Sequence, residues 1–278
     1  AGKPRARLTA MCLDPAQHLN AVTKPLRGCV YFSATLSPLS DMRAFLGGDA
    51  DDAMLSLPSP FPQENLLILR RDHATSYSAR ASTTRAVADT LAVFARACRG
   101  NLWACFPSYA YMNAVRAALL QIAPELSILA QSSRMSEAER GAFLDAFYSG
   151  GRMMGMIALG GSFGESVDLV GDRLSGVAIV GVGLPQVGPE REILRAYYEE
   201  RVGDGFAYAY RIPGMHKVVQ AAGRVIRSAD DRGAVLLIDD RYARDEYIEL
   251  LPPHWRDIYI ARDDDQLRRR LDEFWNQC

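Results

Sequence analysis

Three residues late in the chain, Gln220, Arg224 and Arg227, have the types and the spacing of a phosphate-binding group. At ~100° per residue their side chains fall within about 60° of one another on a helix, and apolar residues occupy the opposite side. The planar fork of a guanidinium group matches phosphate oxygens and binds them through several hydrogen bonds. The segment His216–Arg227 therefore predicts a helix that packs by its apolar face and presents a phosphate-binding face. A solvated basic face is the alternative interpretation.

A glycine-rich loop, Gly160–Asp168, follows the predicted strand Met153–Leu159. Its glycines allow the backbone to turn sharply and approach a ligand, and Glu165 and Asp168 add two carboxylates. Ligands of open parallel sheets bind beyond the carboxyl ends of the strands, so we expect this loop and the start of the Gln220–Arg227 helix to line the same edge. The loop lacks the GxGxxG pattern of dinucleotide sites. Its spacing alone leaves two interpretations open, a ligand-binding loop and a surface turn with solvated acids.

Several common catalytic motifs are missing from the sequence. A phosphate-binding loop requires GxxxxGK[ST], and none of the three lysines of the chain stands in that pattern. There is no GxSxG nucleophile elbow, and the four histidines and five cysteines have no metal-ligand spacing. Asp239 and Asp240 imitate a magnesium-binding strand end, but without a phosphate loop we interpret them as a strand end capped by carboxylates. The sequence thus predicts no metal site in this chain and no ATP hydrolysis by the chain alone.

Short apolar runs alternate with longer helical patterns along the chain. Near-continuous hydrophobic runs are typical of strands that are buried on both faces of a parallel sheet. The predicted strands are Cys29–Ala34, Leu66–Arg70, Leu102–Phe106, Leu126–Ala130, Met153–Leu159, Val177–Val182, Ala234–Ile238 and Ile258–Ala261. Alternation of strands and helices predicts an α/β fold with a doubly wound, mostly parallel sheet and helices on both faces.

Helical patterns fill the stretches between these strands. Ser37, which precedes Pro38, is interpreted as an N-cap, and Ser136 with Glu139 forms a predicted capping box. The predicted helices are Pro38–Leu46, Ser82–Arg99, Tyr109–Ile122, Glu137–Tyr148, Glu190–Arg201, His216–Arg227, Tyr242–Leu250 and Asp264–Trp275.

The composition excludes several classes of protein. With 49% hydrophobic and 23% charged residues, the chain is typical of globular rather than disordered proteins. No apolar run approaches the ~18 residues of a membrane span, and the first residues lack the hydrophobic core of a signal peptide. We therefore expect a cytoplasmic protein, associated with the nucleoid if it is bacterial. Its net charge of −1 supplies no overall attraction to nucleic acid, so any such binding must be local.

Taken in order, five segments resemble boxes of the XPD/DinG family of superfamily 2 helicases, in and around the second motor domain. They match motif III, a short box of the DinG branch, and motifs IV, V and VI: Tyr31–Pro38, Ser59–Phe61, Phe106–Tyr109, Gly160–Asp168 and Gln220–Arg227. A strand followed by Asp-x-Arg-aromatic, at Leu236–Tyr242, also resembles the family. The family's motif V usually reads Ser-Glu-Gly-x-Asp; here Gly164 replaces the serine and Ser166 the glycine, while the two acids match. The resemblance spans roughly residues 21–255.

The resemblance implies a RecA-like fold of the P-loop NTPase type and roles for particular residues. Arg224 and Arg227 would be arginine fingers that reach ATP held by a first motor domain, with Gln220 near the γ-phosphate or the attacking water. For Ser108, a simple helix N-cap is the open alternative to a DNA contact. The implied nucleotide-binding residues are Gly161, Glu165, Asp168 and Gln220, and the implied DNA-contacting residues are Ser108, Tyr109 and Thr35.

The resemblance also implies a first motor domain in the parent polypeptide. Residues 1–27 are expected to come from the junction with that domain and residues 28–278 to form the second RecA-like domain, with the strand at 28–36 assignable to either. The missing domain would supply the phosphate loop, the magnesium-binding acids, an arch insertion and a [4Fe–4S] cluster. ATP and Mg²⁺ would be shared between the two domains, and the cluster would lie outside this chain. The parent would be an ATP-dependent 5′–3′ DNA helicase, whose partners are single-stranded DNA and its own first motor domain, with no membrane.

Two other functions stay open at this point. A RecA-like module that has lost catalysis and only binds nucleic acid or a partner is the first, although such a scaffold has no need of the convergent Gln220, Arg224 and Arg227. A stand-alone α/β enzyme for a nucleotide or phosphorylated metabolite is the second. The absence of a complete glycine fingerprint or a nucleophile counts against it.

Overall fold

The computed structural model describes residues 8–161, 163, 169, 171–255 and 257–276 of the 278-residue chain. By its internal contacts the chain divides into two units, Ala1–Ser56 with Gln186–Tyr210 and Leu57–Pro185 with Arg211–Cys278. The division groups residues 28–56 with the first unit, whereas the sequence places a boundary after residue 27. The second unit contains the whole sheet and the segments predicted as motifs IV, V and VI.

The secondary structure follows the predicted alternation. The strands are β1 Leu66–Arg71, β2 Leu102–Phe106, β3 Ser127–Ala130, β4 Met153–Ala158, β5 Gly176–Val180, β6 Gly233–Ile238 and β7 Tyr259–Ile260. The α-helices are α1 Ala16–Thr23, α2 Leu39–Phe45, α3 Arg80–Ala97, α4 Tyr109–Ile122, α5 Glu137–Asp145, α6 Pro189–Val202, α7 Ile212–Ala222, α8 Asp245–Ile248 and α9 Asp264–Asn276. Within the described ranges, no helix has both the length and the apolar character that a membrane crossing requires.

The seven strands form one sheet in the order β3-β4-β2-β5-β6-β1-β7. Every strand pairing is parallel. Since β1 lies near one edge and the chain then crosses to β2 on the other side of β5 and β6, the order reverses within the sheet. This confirms the predicted doubly wound parallel sheet. It also brings the carboxyl ends of all strands to one edge, where ligands of such sheets bind.

The sheet is covered on both faces because its central strands carry apolar side chains in both directions. Every residue of β2, β5 and β6 is buried. Successive side chains of a strand alternate between the two faces, so Ala104 and Phe106 pack into one core with α3, α4 and α9. On the opposite face Trp103 meets Phe147 edge-on, with 6.1 Å between ring centroids, and α7 packs against β5. Helices therefore lie on both faces, as predicted.

Local capping sequences set the start of several helices. Helix α4 has the predicted bounds, and the Ser136–Glu139 capping box at the start of α5 is complete in the structure. The predicted N-cap Ser37 is wrong, since α2 begins at Leu39 with Pro38 in the N-cap position. The predicted helix over residues 242–250 is also wrong, because a 3₁₀ turn over residues 240–243 precedes the short α8.

The tyrosines of α6 connect the two segments of the first unit. Tyr197 donates a hydrogen bond to Asp14 Oδ2 at 3.2 Å, and Tyr198 donates to the backbone oxygen of Leu13 at 3.2 Å. The ring of Tyr198 also stacks on that of Tyr208 at 4.4 Å between centroids. Residues 186–210 and the N-terminal segment thus form one unit although the sheet separates them in sequence.

The predicted strand Cys29–Ala34 is absent from the structure. The segment has no regular secondary structure, and Val30 and Phe32 are 84% and 90% exposed. A strand must exchange backbone hydrogen bonds with a neighbouring strand. In the part of the chain that the structure describes, no strand pairs with this segment, and the strand prediction is therefore wrong for this chain.

Candidate functional site

The loop after β4 turns tightly against α7. Gly160 has a φ of +72°, and a Cβ atom at this position would lie only 2.8 Å from Cδ of Lys217. The backbone N–H of Gly161 donates to the oxygen of Ala158 at 3.2 Å, which closes the turn. Gly160 is therefore favoured for its left-handed backbone conformation, while the atoms that a Cβ would meet belong to the flexible end of the Lys217 side chain. The expected meeting of this loop with the motif VI helix at one sheet edge is confirmed at Gly160.

A small cavity of about 40 Å³ lies between this loop and α7. Its polar lining comes from Lys217, Gln220 and Arg224. The remaining lining residues are Trp103, Cys105, Ile157, Ala158, Leu159, Gly160, Phe163 and Ala221. A volume of this size has room for water but not for a nucleotide. The structure thus brings Gln220 and Arg224 together beside the glycine-rich loop, in an arrangement that can meet a bulky ligand only from outside.

The helix that carries Gln220 is shorter than predicted. Helix α7 ends at Ala222, with Gly223 at its C-cap, so the predicted continuation to residue 227 is wrong. Arg224 and Arg227 follow in a turn and do not share a helical face with Gln220. Arg224 nevertheless lines the cavity with Gln220, whereas Arg227 does not.

Asp231 fixes the backbone beyond this early helix end. Its side chain is buried, and its Oδ2 accepts hydrogen bonds from the backbone N–H groups of Arg227 at 2.7 Å and Ser228 at 2.8 Å. In a continuing helix both N–H groups would instead donate to carbonyl groups four residues earlier. The carboxylate therefore fixes the backbone at Arg227. Sequence reasoning missed this role, whose only signal is an Asp four residues after the last arginine of motif VI.

Cys105 lines the cavity but does not act there as a nucleophile. Burial raises the pKa of its thiol to about 12, and the nearby Arg224 offsets only part of that increase. The reactive form of cysteine is the thiolate, so this side chain remains neutral near pH 7 and contributes packing.

The predicted DNA-contacting residues fall in both units. Ser108 is the N-cap of α4, and its Oγ accepts a hydrogen bond from the backbone N–H of Tyr111 at 3.3 Å. The capping role that the sequence left open is therefore present, and both Ser108 and Tyr109 are still half-exposed at the carboxyl end of β2. Thr35 belongs to the first unit, where its backbone N–H donates to Ser33 Oγ at 3.2 Å.

The acids of the glycine-rich loop cannot be placed. Glu165 and Asp168 lie outside the described residues, and their nucleotide-binding roles stay predictions, as does that of Gly161. Among the residues that the structure describes, no three His, Cys, Asp or Glu side chains are grouped so that they could hold a metal ion.

A second polar cluster stands where β1 and β6 end. Asp239, which follows β6, is completely buried. Arg241 binds it in a bidentate manner, with Nε 2.8 Å from Oδ1 and Nη2 2.8 Å from Oδ2, and Thr75 donates its hydroxyl to Oδ2. The carboxylate oxygens of Asp239 are thus occupied by the protein itself. This agrees with the interpretation of the acidic strand end as a cap.

The ionisation of Asp239 follows from these contacts. Burial by itself would raise the pKa of its carboxyl group, but the hydrogen bonds from Arg241 and Thr75 and the charge of Arg241 outweigh burial and hold the pKa below its ordinary value. The Asp239–Arg241 ion pair therefore persists near pH 7. Sequence reasoning recognised the Asp-x-Arg pattern but missed Thr75, which lies 164 residues away in the chain.

Comparison with known proteins places this architecture in a family. A family model described as the helicase C-terminal domain matches residues 91–258, more than half of the chain. The ATP-dependent DNA helicase YoaA of Escherichia coli strain K12 is 32% identical over 246 residues, which cover 84% of this chain and 37% of that protein. The ATP-dependent DNA helicase DinG of Photobacterium profundum is 36% identical over 104 residues, 35% of this chain and 15% of that protein. The chain spans about a third of the length of such relatives.

Comparison with solved structures identifies the fold. A solved structure described as an XPD helicase superposes with a TM-score of 0.67 at 21% identity, covering 90% of this chain and 45% of that one. At this identity the match shows a shared RecA-like fold. The region matched by the family model contains the segments predicted as motifs IV, V and VI, and the last two of these bring Gly160, Gln220 and Arg224 together. The chain therefore belongs to the helicase C-terminal domain family, in its XPD/DinG branch.

Proposed function

We propose that this chain is the C-terminal motor half of an ATP-dependent 5′–3′ DNA helicase. The observation that carries the proposal is the convergence of Gln220 and Arg224 on the glycine-rich loop at the carboxyl edge of the sheet. A first motor domain of the same polypeptide binds ATP and Mg²⁺ and carries the [4Fe–4S] cluster. The relatives named as ATP-dependent DNA helicases support this proposal, and their greater length leaves room for that domain.

In this proposal Arg224 and Arg227 act on ATP from outside the chain's own sheet. An arginine finger stabilises the negative charge that develops on the transferred phosphoryl group. Gln220 orients the attacking water or contacts the γ-phosphate. The small volume of the cavity supports this division of labour, because a nucleotide has to be held by another domain while these side chains reach it.

The same proposal assigns part of the single-stranded DNA track to this chain. Ser108 and Tyr109 are half-exposed at the start of α4, where hydroxyl and backbone N–H groups can contact a phosphate. Thr35 is the candidate contact in the first unit. The acids Glu165 and Asp168 complete the nucleotide-binding residues of the proposal.

The isolated chain is expected to show no ATPase activity. None of Lys3, Lys24 and Lys217 stands in a phosphate-loop pattern, so no lysine is placed to hold the β- and γ-phosphates. Phosphate release from ATP, with and without single-stranded DNA, measures this for the 278-residue chain and for the two-domain parent side by side. Activity of the chain alone would contradict the proposal. A parent that binds DNA but never hydrolyses ATP would instead support an inactive binding module.

Single-stranded DNA is expected to bind the isolated chain weakly and with marked salt dependence. The net charge of −1 supplies no overall attraction, so only local arginines can contact phosphates. Fluorescence anisotropy of a labelled oligothymidylate at low and moderate salt measures the affinity. Tight binding that hardly changes with salt would contradict this prediction and indicate that the chain binds the bases in a pocket rather than the phosphates.

A further inference from the structure

The loop between β1 and α3, residues 72–79, presents an aromatic ring to solvent. Tyr77 is 89% exposed, more than any other tyrosine that the structure describes. Exposed hydroxyl groups flank it at Ser76 and Ser78. Single exposed apolar residues are common on protein surfaces, so the exposure of Tyr77 gains meaning only from its surroundings.

A charged neighbour of Tyr77 is Arg80, the first residue of α3. The guanidinium carbon of Arg80 lies 5.7 Å from the centre of the Tyr77 ring and 4.9 Å from that of Tyr111. Its Nε donates to the backbone oxygen of Thr75 at 3.1 Å. Two rings and a main-chain carbonyl therefore hold the guanidinium in place, at the distances of cation–π contacts.

Arg80 is held without a carboxylate partner among the described residues. The nearest acid of its cluster is Asp239, whose oxygens are taken by Arg241 and Thr75. By contrast, Arg85 on the same helix pairs with Asp89 at 3.2 Å. The guanidinium of Arg80 is thus ordered by the fold without a direct carboxylate contact among the described residues.

This pair stands at the same edge of the sheet as Ser108 and Tyr109, the predicted DNA contacts of the second unit. Arg80 packs on Tyr111, whose backbone N–H is bound by the Ser108 side chain. A Cβ atom at Gly181, just beyond β5, would meet both Thr75, at 3.3 Å, and Pro107, at 3.6 Å. The loop of Tyr77 and the loop of Ser108 therefore converge at the carboxyl edge.

We propose that Tyr77 and Arg80 form a binding subsite for single-stranded DNA, in which a base stacks on the Tyr77 ring and Arg80 binds an adjacent backbone phosphate. The inference rests on the proposed DNA-binding function and adds two residues to it. Stacking on an aromatic ring is tolerant of sequence because every base has a π-face, and a guanidinium fork fits phosphate oxygens. The subsite therefore binds the strand without recognising its base sequence.

The stacking half of the proposal, in which a base stacks on the Tyr77 ring, is tested with Tyr77→Ala and Tyr77→Trp in the 278-residue chain. Tyr77→Ala is expected to weaken binding of oligothymidylate about tenfold at low salt, and Tyr77→Trp to restore it. The three native tryptophans are buried, at 1%, 3% and 6% exposure, so they are shielded from a bound base, and the fluorescence of the unaltered chain gives their contribution for subtraction. A stacked base quenches that fluorescence, and an oligonucleotide with abasic sites, which keeps the phosphates, should not.

Tyr148→Ala is the matched control for the stacking half. Tyr148 is 64% exposed in the same unit, but its backbone oxygen is bound by Asn101, which precedes β2, at the amino end of the sheet. This variant should leave DNA affinity unchanged. Because Tyr77 and Tyr148 are both exposed, neither substitution should lower the melting temperature by more than a few degrees.

The phosphate half of the proposal, in which Arg80 binds a backbone phosphate, is tested with Arg80→Gln, and Arg85→Gln is the matched control. Arg80→Gln should reduce the magnitude of the slope of log K against log salt by about 0.7, the value for one phosphate of a single strand. Arg85→Gln removes an equally positive residue from the same helix and should leave that slope unchanged. Arg80→Lys, which keeps the charge, should retain the slope even if it binds more weakly.

The outcomes separate this inference from the function on which it rests. If the unaltered chain binds DNA but Tyr77→Ala binds equally well and the introduced tryptophan is not quenched, the subsite is wrong and the proposed function stands. If the unaltered chain binds no DNA at low salt, both are wrong. Loss of affinity in Tyr77→Ala together with quenching by oligothymidylate, but not by the abasic strand, supports the subsite.

Discussion

Replacement of Arg224 by alanine in the two-domain parent is expected to lower kcat for DNA-stimulated ATP hydrolysis by roughly 10²-fold or more. The change in nucleotide Kd should be smaller. A finger acts on charge that develops only in the transition state, whereas the phosphate loop of the first domain holds the ground-state nucleotide. We expect the same for Arg227→Ala. Steady-state ATPase assays and binding of a fluorescent nucleotide give the two quantities.

The conservative variants and a control sharpen this prediction. Lysine at either position should rescue turnover poorly, because a point charge does not reproduce the bidentate fork of arginine. Arg268, an exposed arginine of α9 that pairs with Asp265 at 3.1 Å, offers a matched control whose alanine variant should turn over normally. Near-normal kcat in both Arg224→Ala and Arg227→Ala would rule out the finger assignment.

Asp239→Ala is expected to lower the free energy of unfolding by about 3–5 kcal/mol. Asp239 is completely buried, and the side chain of its partner Arg241 is only 18% exposed. Removal of the carboxylate leaves a charged guanidinium and the Thr75 hydroxyl without their acceptor in a poorly solvated place. Urea unfolding of the 278-residue chain measures the loss as a shift of the midpoint.

An exposed ion pair serves as the control for this prediction. Asp265 and Arg268 pair on α9 with side chains that are 78% and 61% exposed, so Asp265→Ala should cost less than about 1 kcal/mol. If Asp239→Ala shifts the midpoint no more than Asp265→Ala does, the buried pair is not the stabilising contact described here.

The effect of Asp239 also has a defined pH dependence. Because its pKa in the folded chain lies below the ordinary value of 3.8, the charged pair contributes stability above that value. This contribution is lost as the pH falls through the lower, folded-state pKa. The stability difference between the unaltered chain and Asp239→Asn should therefore be full at neutral pH and shrink in strong acid. A difference that grows on acidification would contradict the assignment.

The sequence by itself determined the order and type of most elements and the residues of motif VI. Apolar runs predicted the strands β1 to β6, because strands that are buried on both faces consist almost entirely of hydrophobic residues. Helix α4 begins and ends as predicted, since Ser108 caps it and its apolar residues recur with helical spacing. These features depend on neighbours within a few residues, so the order of residues along the chain is enough to predict them. The prediction of Gln220 and Arg224 as site residues belongs to the same class.

Other features depended on residues that are distant in the chain. The apolar pattern of Cys29–Ala34 is that of a strand, but a strand forms only where a neighbour offers backbone hydrogen bonds. Helix α7 stops at Ala222, and beyond it the Asp231 carboxylate accepts hydrogen bonds from the backbone N–H groups of Arg227 and Ser228, a contact that helical periodicity does not predict.

Only the tertiary structure decided which side chains meet at the carboxyl edge. Parallel strands that are far apart in sequence end side by side there, so Thr75 reaches Asp239 and Lys217 lies against Gly160. The exposure of Tyr77 and the fixed position of Arg80 follow from the same convergence of loops. The sequence could supply the chemical groups, but their distances and burial depend on the strand order, which is set by packing among all the elements together.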